Sequence, residues 1–359
     1  MKINKFFKFL FIFFELINLF SIKFFPNQNY NNLNITNKIK LYLFNKLLKK
    51  AKKNLTYVNF LYIQGQARLG NFFICINNAI IFCEFLGCKR IIIEKNNAAF
   101  IKHKIFYKKY NFSIEPNQVF NYMDNNSLII NKWFFFKLNF SCLGKVNRFN
   151  LLKEEILNNL PKLKIHPHDL YIYIRSGDIF SIYKNSITTY SQPPLCFYQN
   201  ILNNFNFRKV NIISEDKLNP VIPILLNNYS FIKYKKNNFK YDIAYLVNSF
   251  NIVSAKSSFL ISLIKLNGNL QFLWEYDFYK LSERYLHLHY SVYSFSYNYT
   301  IYKMEPSLIY KKILYTWTNS SQQRQIMLKD KCINNFDIIN TKNLRMSNIN
   351  LILTKLIIL

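Results

Sequence analysis

Residues Tyr171–Phe180 read YIYIRSGDIF. Four apolar residues are interrupted by Arg175 and then by a glycine and an aspartate, after which apolar residues resume. A short run of aromatic and β-branched residues that ends in turn-forming residues is typical of a strand followed by a tight turn. We therefore predict a buried strand that ends just before Arg175.

The segments on both sides alternate between strand and helix patterns. Ahead of this strand, VNFLYI, the loop QGQARLGN, the apolar run FFICINNAIIFCEFLG and KRIIIEK form a βαβ-like unit. After it come the helix QPPLCFYQNILNNF, the strand KVNIISED, the helix NPVIPILLNNY and the segment YDIAYLVNSFNIVSAKSSFLISLIKLN. This alternation, found twice, predicts two doubly wound α/β domains.

Length and composition limit the possible functions. The chain has 359 residues, 50% of them hydrophobic, so it is long enough for two domains with sizeable cores. Its net charge of +30 comes from 48 Lys and Arg against 18 Asp and Glu. The basic residues are spread along the whole chain, whereas nucleic-acid binders concentrate them on one surface. We expect no nucleic-acid partner, although a basic surface attracts anionic substrates such as sugar nucleotides.

The N-terminal residues 1–26 have the features of a membrane anchor. Three lysines precede a phenylalanine-rich apolar run that contains a single charge, Glu15. No small-x-small cleavage site follows, which favours an uncleaved signal anchor over a cleaved signal peptide. The basic flank stays cytoplasmic, so the rest of the chain is expected in the lumen, as a single-pass type II protein of the Golgi or endoplasmic reticulum membrane. Residues 27–55, rich in Asn and Lys, are interpreted as a stem.

Cysteines and asparagines are compatible with a lumenal setting. Six cysteines lie beyond the anchor, and the sequence leaves their pairing open. Neither their spacing nor that of the five histidines resembles a metal site, and we predict no metal. The chain contains eight N-x-Ser/Thr sequons, at Asn34, Asn54, Asn111, Asn125, Asn139, Asn228, Asn298 and Asn319.

The residues after the predicted strand have a chemistry suited to anions. In doubly wound folds, ligands bind beyond the carboxyl ends of the strands, where Arg175 is expected. Its guanidinium can donate to two phosphate oxygens at once. Gly177 permits a tight turn that brings backbone N–H groups near the same anion, and Asp178 can hold the arginine or accept a proton. The alternative is a surface salt bridge between Arg175 and Asp178.

The order of four motifs resembles a known group of enzymes. GQARLGN, RSGD, SED and D-x(11)-S-x-x-SS-F, taken in this order, resemble the motifs of the GDP-fucose-dependent fucosyltransferase superfamily, closest to the α-1,2 type. The resemblance covers residues 60 to about 270. The chain departs from the motifs at Tyr173, where a histidine is usual, at Phe72, where a glutamine is usual, and at Glu215, where an aspartate is usual.

The resemblance implies roles for particular residues. Arg175 would bind the donor diphosphate and, with Asp178, form the catalytic pair. The residues implied in donor binding are Arg68, Gly70, Asn71, Gly177, Asp242, Ser254, Ser257 and Ser258. Glu215, Asp216 and Asp242 carry carboxylates that could accept from ribose or guanine, and Tyr173 could offer a hydroxyl to the substrate. Each also has an ordinary structural alternative, such as a helix cap for Ser257.

The resemblance further implies a GT-B fold, in which two Rossmann-like domains face a central cleft. We expect an acceptor-side domain over residues 56–165, a donor-binding domain over 168–300 and a C-terminal extension over 301–359. The expected reaction is inverting transfer of fucose from GDP-fucose to a glycan hydroxyl, with no cofactor. The alternatives are the same fold with another sugar nucleotide, and a membrane-anchored glycan-binding protein without turnover.

Overall fold

The structure of the protein is a computed structural model. It describes residues 60–64, 89–94, 105–107, 112–117, 127–131, 149–181, 191–234, 237–264, 266–277, 298–314, 316–333 and 335–341, with helical positions at Ile76, Ala79, Ile80 and Cys83. The predicted anchor and stem, and the loop that carries Arg68, Gly70 and Asn71, lie outside the described residues. None of the described helices combines the length and the apolar character needed to cross a bilayer.

A five-stranded sheet forms the first of two compact units. Its strands are β1 (Phe60–Gln64), β2 (Arg90–Glu94), β3 (Ile105–Tyr107), β4 (Phe112–Asn117) and β5 (Ser127–Asn131). They are arranged in the order β3-β4-β2-β1-β5, and every pair is parallel except β3 with β4. In β2 the residues Ile91, Ile92 and Ile93 are all buried, as expected for a parallel strand covered on both faces.

A seven-stranded sheet forms the second unit. Its strands are β6 (Asp169–Tyr173), β7 (Lys209–Ile213), β8 (Ile232–Tyr234), β9 (Asn251–Val253), β10 (Phe272–Tyr276), β11 (Thr300–Met304) and β12 (Asp337–Asn340). Their order is β12-β11-β10-β9-β6-β7-β8, and only β12 runs antiparallel to its neighbour. Without β12, this is the strand order of the dinucleotide-binding Rossmann fold.

One helix precedes β6, and the other described helices of this unit connect its strands. They are α1 (Phe149–Asn158), α2 (Leu195–Asn204), α3 (Val221–Asn228), α4 (Phe239–Asn248), α5 (Ser258–Ile264), α6 (Leu308–Ile313) and α7 (Ser321–Lys329). In α2 the buried residues Leu195, Tyr198 and Leu202 recur at helical spacing, which gives this helix an apolar face toward the sheet. The predicted α/β class is confirmed for the described residues, and parallel pairing dominates both sheets.

The second sheet continues past residue 300, where the sequence analysis ended the donor-binding domain. β11 pairs with β10 in parallel, and the buried side chains of Tyr310, Trp317 and Met327 belong to the same core as Leu170. The ring of Trp317 meets that of Phe180 edge-on, with 5.6 Å between the ring centroids. Residues 298–341 therefore complete the core of this unit, because they cover apolar surface that β6 and its neighbours would otherwise expose.

One disulfide bond ties this C-terminal segment to the Rossmann-like core. Cys196 in α2 is bonded to Cys332, which follows α7, with 5.6 Å between the two Cα atoms. The bond closes a loop between residues 136 positions apart. Cys83 in the first unit is also disulfide-bonded. Cross-links between distant residues restrict the unfolded chain and so stabilise the folded state.

The first prediction concerns this disulfide. Cys332→Ser should lower the free energy of unfolding by roughly 2–5 kcal/mol, because the unfolded chain gains conformational freedom. Cys196→Ser should have the same effect, and the double variant should be no less stable than either single one, since all three lack the same bond. Chemical denaturation monitored by circular dichroism provides the measurement. Variants as stable as the oxidised wild type would contradict the predicted contribution.

Candidate functional site

The strand order of the second sheet reverses at β6. β7 and β8 lie on one side of this strand, and β9, β10 and β11 lie on the other. Successive loops leave the sheet in opposite directions at such a position, which is where doubly wound folds bind ligands. Arg175 follows β6 and Ser254 follows β9. Two of the motifs singled out in the sequence therefore lie side by side at the carboxyl edge of the sheet.

The backbone conformation of the turn after β6 favours a glycine. Gly177 has a φ of +57°, in the left-handed region, and begins a short 3₁₀ turn that ends at Ile179. A Cβ atom at this position would also collide with Oε2 of Glu215. The carboxylate at the end of β7 and the turn at the end of β6 are thus in direct contact.

Arg175 and Asp178 form an ion pair within this turn. Nη2 of the arginine lies 3.6 Å from Oδ1 of the aspartate. The Arg175 side chain is 13% exposed to solvent and that of Asp178 is 27% exposed. The pair is therefore partly shielded from water and is not an ordinary surface salt bridge. The Asp178 carboxylate therefore restrains the guanidinium while leaving part of it accessible.

The Asp216 carboxylate fixes the backbone of the same turn. Its Oδ1 accepts hydrogen bonds from the Ser176 hydroxyl, from the Gly177 N–H at 3.3 Å and from the Leu218 N–H at 2.9 Å. The sequence motifs suggested Asp216 as a contact for ribose or guanine, and Gly177 as a source of a backbone N–H for the anion. In the structure this oxygen and this N–H are bonded to each other.

Asn219 reinforces the link between the two loops. Its N–H donates to the Ser176 hydroxyl at 2.9 Å, and its side-chain amide donates to the Arg175 carbonyl at 3.1 Å. Ser176 and Asn219 are fully buried, so these bonds are protected from exchange with water. The backbone from which the Arg175 side chain projects is therefore held by the loop after β7.

Tyr173 differs from what the sequence analysis expected. This last residue of β6 is buried, and its ring packs against Phe259 with 5.5 Å between centroids. Its hydroxyl is hydrogen-bonded to that of Ser257, and burial raises its pKa to about 12. A hydroxyl in this position cannot be offered to a substrate. The reason is the packing of β6 under the start of α5, which a strand pattern alone does not reveal.

The serines after β9 have unequal exposure. Ser257 is buried, and its Oγ also accepts from the Phe259 N–H at 3.2 Å, so this hydroxyl is already used within the protein. Ser254 is partly exposed. Ser258 begins α5. Of the two serines whose side chains are described, Ser254 is the more exposed, and its hydroxyl donates to the Ala255 carbonyl at 3.2 Å.

Asp242 lies in the first turn of α4, close enough to Tyr173 to influence its ionisation. Its Oδ1 accepts a hydrogen bond from the Asn237 amide at 3.0 Å. Burial is the main cause that raises the Asp242 pKa to about 6, and the bond from Asn237 opposes the shift. This carboxyl group therefore changes its charge only slightly below neutral pH.

Lys256 was not among the residues singled out from the sequence. It lies in the loop between β9 and α5 and is buried. Desolvation lowers its pKa to about 8, because burial penalises the ammonium form. A lysine in a chain with 48 Lys and Arg gives no signal in the sequence, and only its burial distinguishes it.

The structure thus brings together part of the predicted site. The residues linked by direct contacts or by electrostatic influence on Tyr173 are Arg175, Gly177, Asp178, Glu215, Asp242 and Ser257. Ser254 lies at the same edge of the sheet, after the neighbouring strand β9. Arg68, Gly70 and Asn71 lie outside the described residues, so their predicted role in donor binding stays a prediction.

One group of potential metal ligands occurs among the described residues. The ligand atoms of Cys196, Asp330 and Cys332 lie within 4.8 Å of one another. The two sulfurs are bonded to each other as a disulfide, so neither is a thiolate that could bind a metal.

Comparisons with known proteins add little to this description. No family model matches the chain, and no curated protein matches it. Among solved structures, the E. coli heptosyltransferase WaaC with ADP is similar, with a TM-score of 0.35 and 9% sequence identity, over 60% of this chain and 86% of that one. A similarity with so low a TM-score supports no conclusion about function. Function is therefore inferred from the sequence motifs and the loop geometry.

The elevated pKa of Asp242 yields a prediction about stability. Between its ordinary pKa of 3.8 and about 6, the folded protein retains a proton that the unfolded chain has released. The contribution of Asp242 to the free energy of unfolding therefore falls as the pH rises through this interval. Asp242→Asn carries no charge at any pH and lacks this effect. Thermal denaturation should show the variant gaining on the wild type as the pH rises, whereas a constant difference would contradict the assignment.

Proposed function

We propose that the protein is a glycosyltransferase with the GT-B arrangement, which moves fucose from GDP-fucose to a hydroxyl of a glycan acceptor with inversion. The observation that carries this proposal is the Arg175 guanidinium, restrained by Asp178 on a braced turn at the reversal of the strand order. The resemblance of the four ordered motifs to those of GDP-fucose-dependent fucosyltransferases supports the choice of donor.

In the proposed reaction the acceptor hydroxyl attacks the anomeric carbon and releases its proton to solvent as the bond from that carbon to the diphosphate breaks. Negative charge then accumulates on the departing GDP. Arg175 donates two N–H groups to the diphosphate oxygens, and these bonds strengthen as the charge develops. Asp178 contributes by orienting Arg175. We expect the arginine to supply positive charge at the diphosphate without a metal or another cofactor.

One experiment distinguishes the proposed function from its two alternatives, a different sugar donor and a glycan-binding protein without turnover. The lumenal part of the chain, residues 27–359, is incubated with a panel of sugar nucleotides, and both hydrolysis and transfer are measured. Turnover of GDP-fucose alone supports the proposal. Turnover of another donor indicates the same fold with a different sugar, and donor binding without turnover indicates a glycan-binding protein.

Arg175→Lys tests the role of the guanidinium. The variant keeps a positive charge opposite Asp178 but loses the planar fork, so one charge-assisted hydrogen bond of roughly 1.5–3 kcal/mol should be lost. We expect kcat/KM for the donor to fall about tenfold to a hundredfold. GDP affinity, measured by calorimetry, should fall together with it.

A second arginine offers a matched control. Arg208 also pairs with a carboxylate, since its Nε and Nη2 each donate to an Asp169 oxygen at 2.9 Å. Arg208 precedes β7 and Asp169 begins β6, so the pair lies at the amino edge of the sheet, opposite the proposed site. Arg208→Lys should leave GDP affinity unchanged. If Arg175→Lys binds GDP as tightly as this control does, Arg175 does not bind the diphosphate.

We further propose a lumenal location in the Golgi or endoplasmic reticulum membrane, with residues 1–26 as a type II anchor. The Cys196–Cys332 disulfide supports an oxidising compartment.

The asparagines of the three sequons within the described residues differ in exposure and in hydrogen bonding. Asn228 and Asn298 are exposed. Asn319 accepts from Arg324 Nε at 2.8 Å through its Oδ1, and its amide donates to the Ser181 carbonyl at 3.5 Å.

This difference predicts a pattern of glycosylation. In secretory cells that express the full chain, Asn228 and Asn298 should carry N-linked glycans and Asn319 should not, because its side chain is held by the protein. Site-resolved mass spectrometry after enzymatic deglycosylation distinguishes the three positions. A glycan at Asn319, or none at both other positions, would contradict the prediction.

A further inference from the structure

Tyr173 connects the two strands on either side of the reversal. β6 and β9 are parallel, and Ile172 pairs with Val253. Tyr173 and Ser254 each follow this last pair by one residue, and neighbouring strands are about 5 Å apart. The Tyr173 hydroxyl, however, is bonded to the Ser257 hydroxyl three residues later. The tyrosine therefore contacts the loop between β9 and α5 at its last residue, Ser257.

Ser257 has hydrogen-bond partners on both sides. Its Oγ accepts from the Phe259 N–H at 3.2 Å and shares a hydrogen bond with the Tyr173 hydroxyl. The ring of Tyr173 packs on Phe259, which in turn is stacked on Phe239 with 5.6 Å between centroids. The start of α5 is thus fixed to β6 both by a polar contact and by aromatic packing.

Arg175 lies two residues beyond Tyr173 on the same strand end, and its charge is close enough to influence the Tyr173 hydroxyl. The end of β6 therefore holds both groups: Tyr173 is hydrogen-bonded to the loop after β9, and Arg175 follows Tyr173 in the chain. A diphosphate has two phosphate groups, and it is bound most tightly when the contacts to both are held in place before binding.

We propose that Tyr173 is a positioning residue of the donor site: through its hydrogen bond to Ser257 it holds the loop Ser254–Ser257 beside Arg175, so that both can contact one diphosphate. This inference rests on the proposed function for the identity of the ligand. Its structural part, that the hydroxyl restrains the loop, is independent of the ligand. Tyr173 itself does not touch the donor, because it is buried beneath the loop.

The test uses Tyr173→Phe in the full chain. The substitution retains the ring that packs on Phe259 and removes only the hydroxyl. One neutral hydrogen bond contributes about 1 kcal/mol, so GDP affinity should weaken about threefold to tenfold. The donor KM should rise in parallel, while kcat changes less. GDP affinity is measured by calorimetry and the kinetic constants by donor turnover.

Tyr171→Phe is the matched control. Tyr171 lies two positions earlier in β6, on the same face, and is also buried, with its ring stacked on Tyr245 at 5.3 Å between centroids. Its loss of a hydroxyl should not affect GDP affinity. If Tyr173 has a purely structural role, Tyr173→Phe and Tyr171→Phe should bind GDP with the same affinity, even if their melting temperatures differ.

A double-mutant cycle with Ser257→Ala tests the route of the effect. If Tyr173 acts through Ser257, removing its hydroxyl in the Ser257→Ala background should weaken GDP binding no further. Additive losses would overturn this route. Equal GDP affinity of Tyr173→Phe and wild type would overturn the inference while leaving the proposed function intact.

Hydrogen exchange of the ligand-free protein separates the two failures. In Tyr173→Phe the amides of residues 254–258 should exchange several-fold faster than in wild type or Tyr171→Phe, because the loop has lost its anchor. If the wild type binds no GDP, the proposed donor is wrong. Hydrogen exchange still shows whether Tyr173 restrains the loop. Unchanged exchange would overturn the positioning role.

Discussion

The parallel pairing of β6 with β7 on one side and β9 on the other determines the arrangement of the candidate site. A strand with neighbours on both edges and helices on both faces must be apolar, which is why all five residues of β6 are buried, including Asp169 through its bonds to Arg208. Polar chemistry can begin only where the strand leaves the sheet. The functional candidates in the second unit therefore occur in the turns and loops that follow the strands and at the starts of the helices after them.

Carboxylates are numerous at this edge, which is unexpected for a site proposed to bind a diphosphate. Three of these carboxylates, Asp216, Asp178 and Asp242, are stabilised in different ways. Asp216 accepts three hydrogen bonds from the neighbouring loops, and Asp178 is paired with Arg175. Asp242 lies in a buried setting that favours its protonated form as the pH falls. The carboxylates Asp178 and Asp216 thus hold the turn in place, and Arg175 supplies a positive charge beside them.

The sequence predicted the elements better than it predicted their contacts. The strand before Arg175, the helices on either side of β7 and the strand before Ser254 all occur near their predicted positions, because buried strands and amphipathic helices leave strong periodic patterns. The strand order, which places two motifs side by side, has no such local pattern. The pairing of Cys196 with Cys332, and the extension of the sheet past residue 300, depend on contacts between distant residues.

The candidate site shows the same limit at the level of single side chains. Arg175, Gly177 and Asp178 were identified because a strand end, a turn and an ionisable pair are visible in the local sequence. Whether a hydroxyl such as that of Ser257 faces solvent depends on which strand passes beneath it. Burial, and not residue type, decides between a ligand contact and an internal support.

The tyrosine at position 173 also determines how this edge responds to pH. A histidine in its place would gain a proton near neutral pH, all the more readily beside Glu215 and Asp242. The Tyr173 hydroxyl, with a pKa of about 12, stays neutral throughout the physiological range. Its bond to Ser257 is therefore insensitive to pH, and the loop after β9 keeps its support in acidic compartments. Because Asp242 has a pKa of about 6, mild acidity can alter the charge near Tyr173 through this carboxyl group.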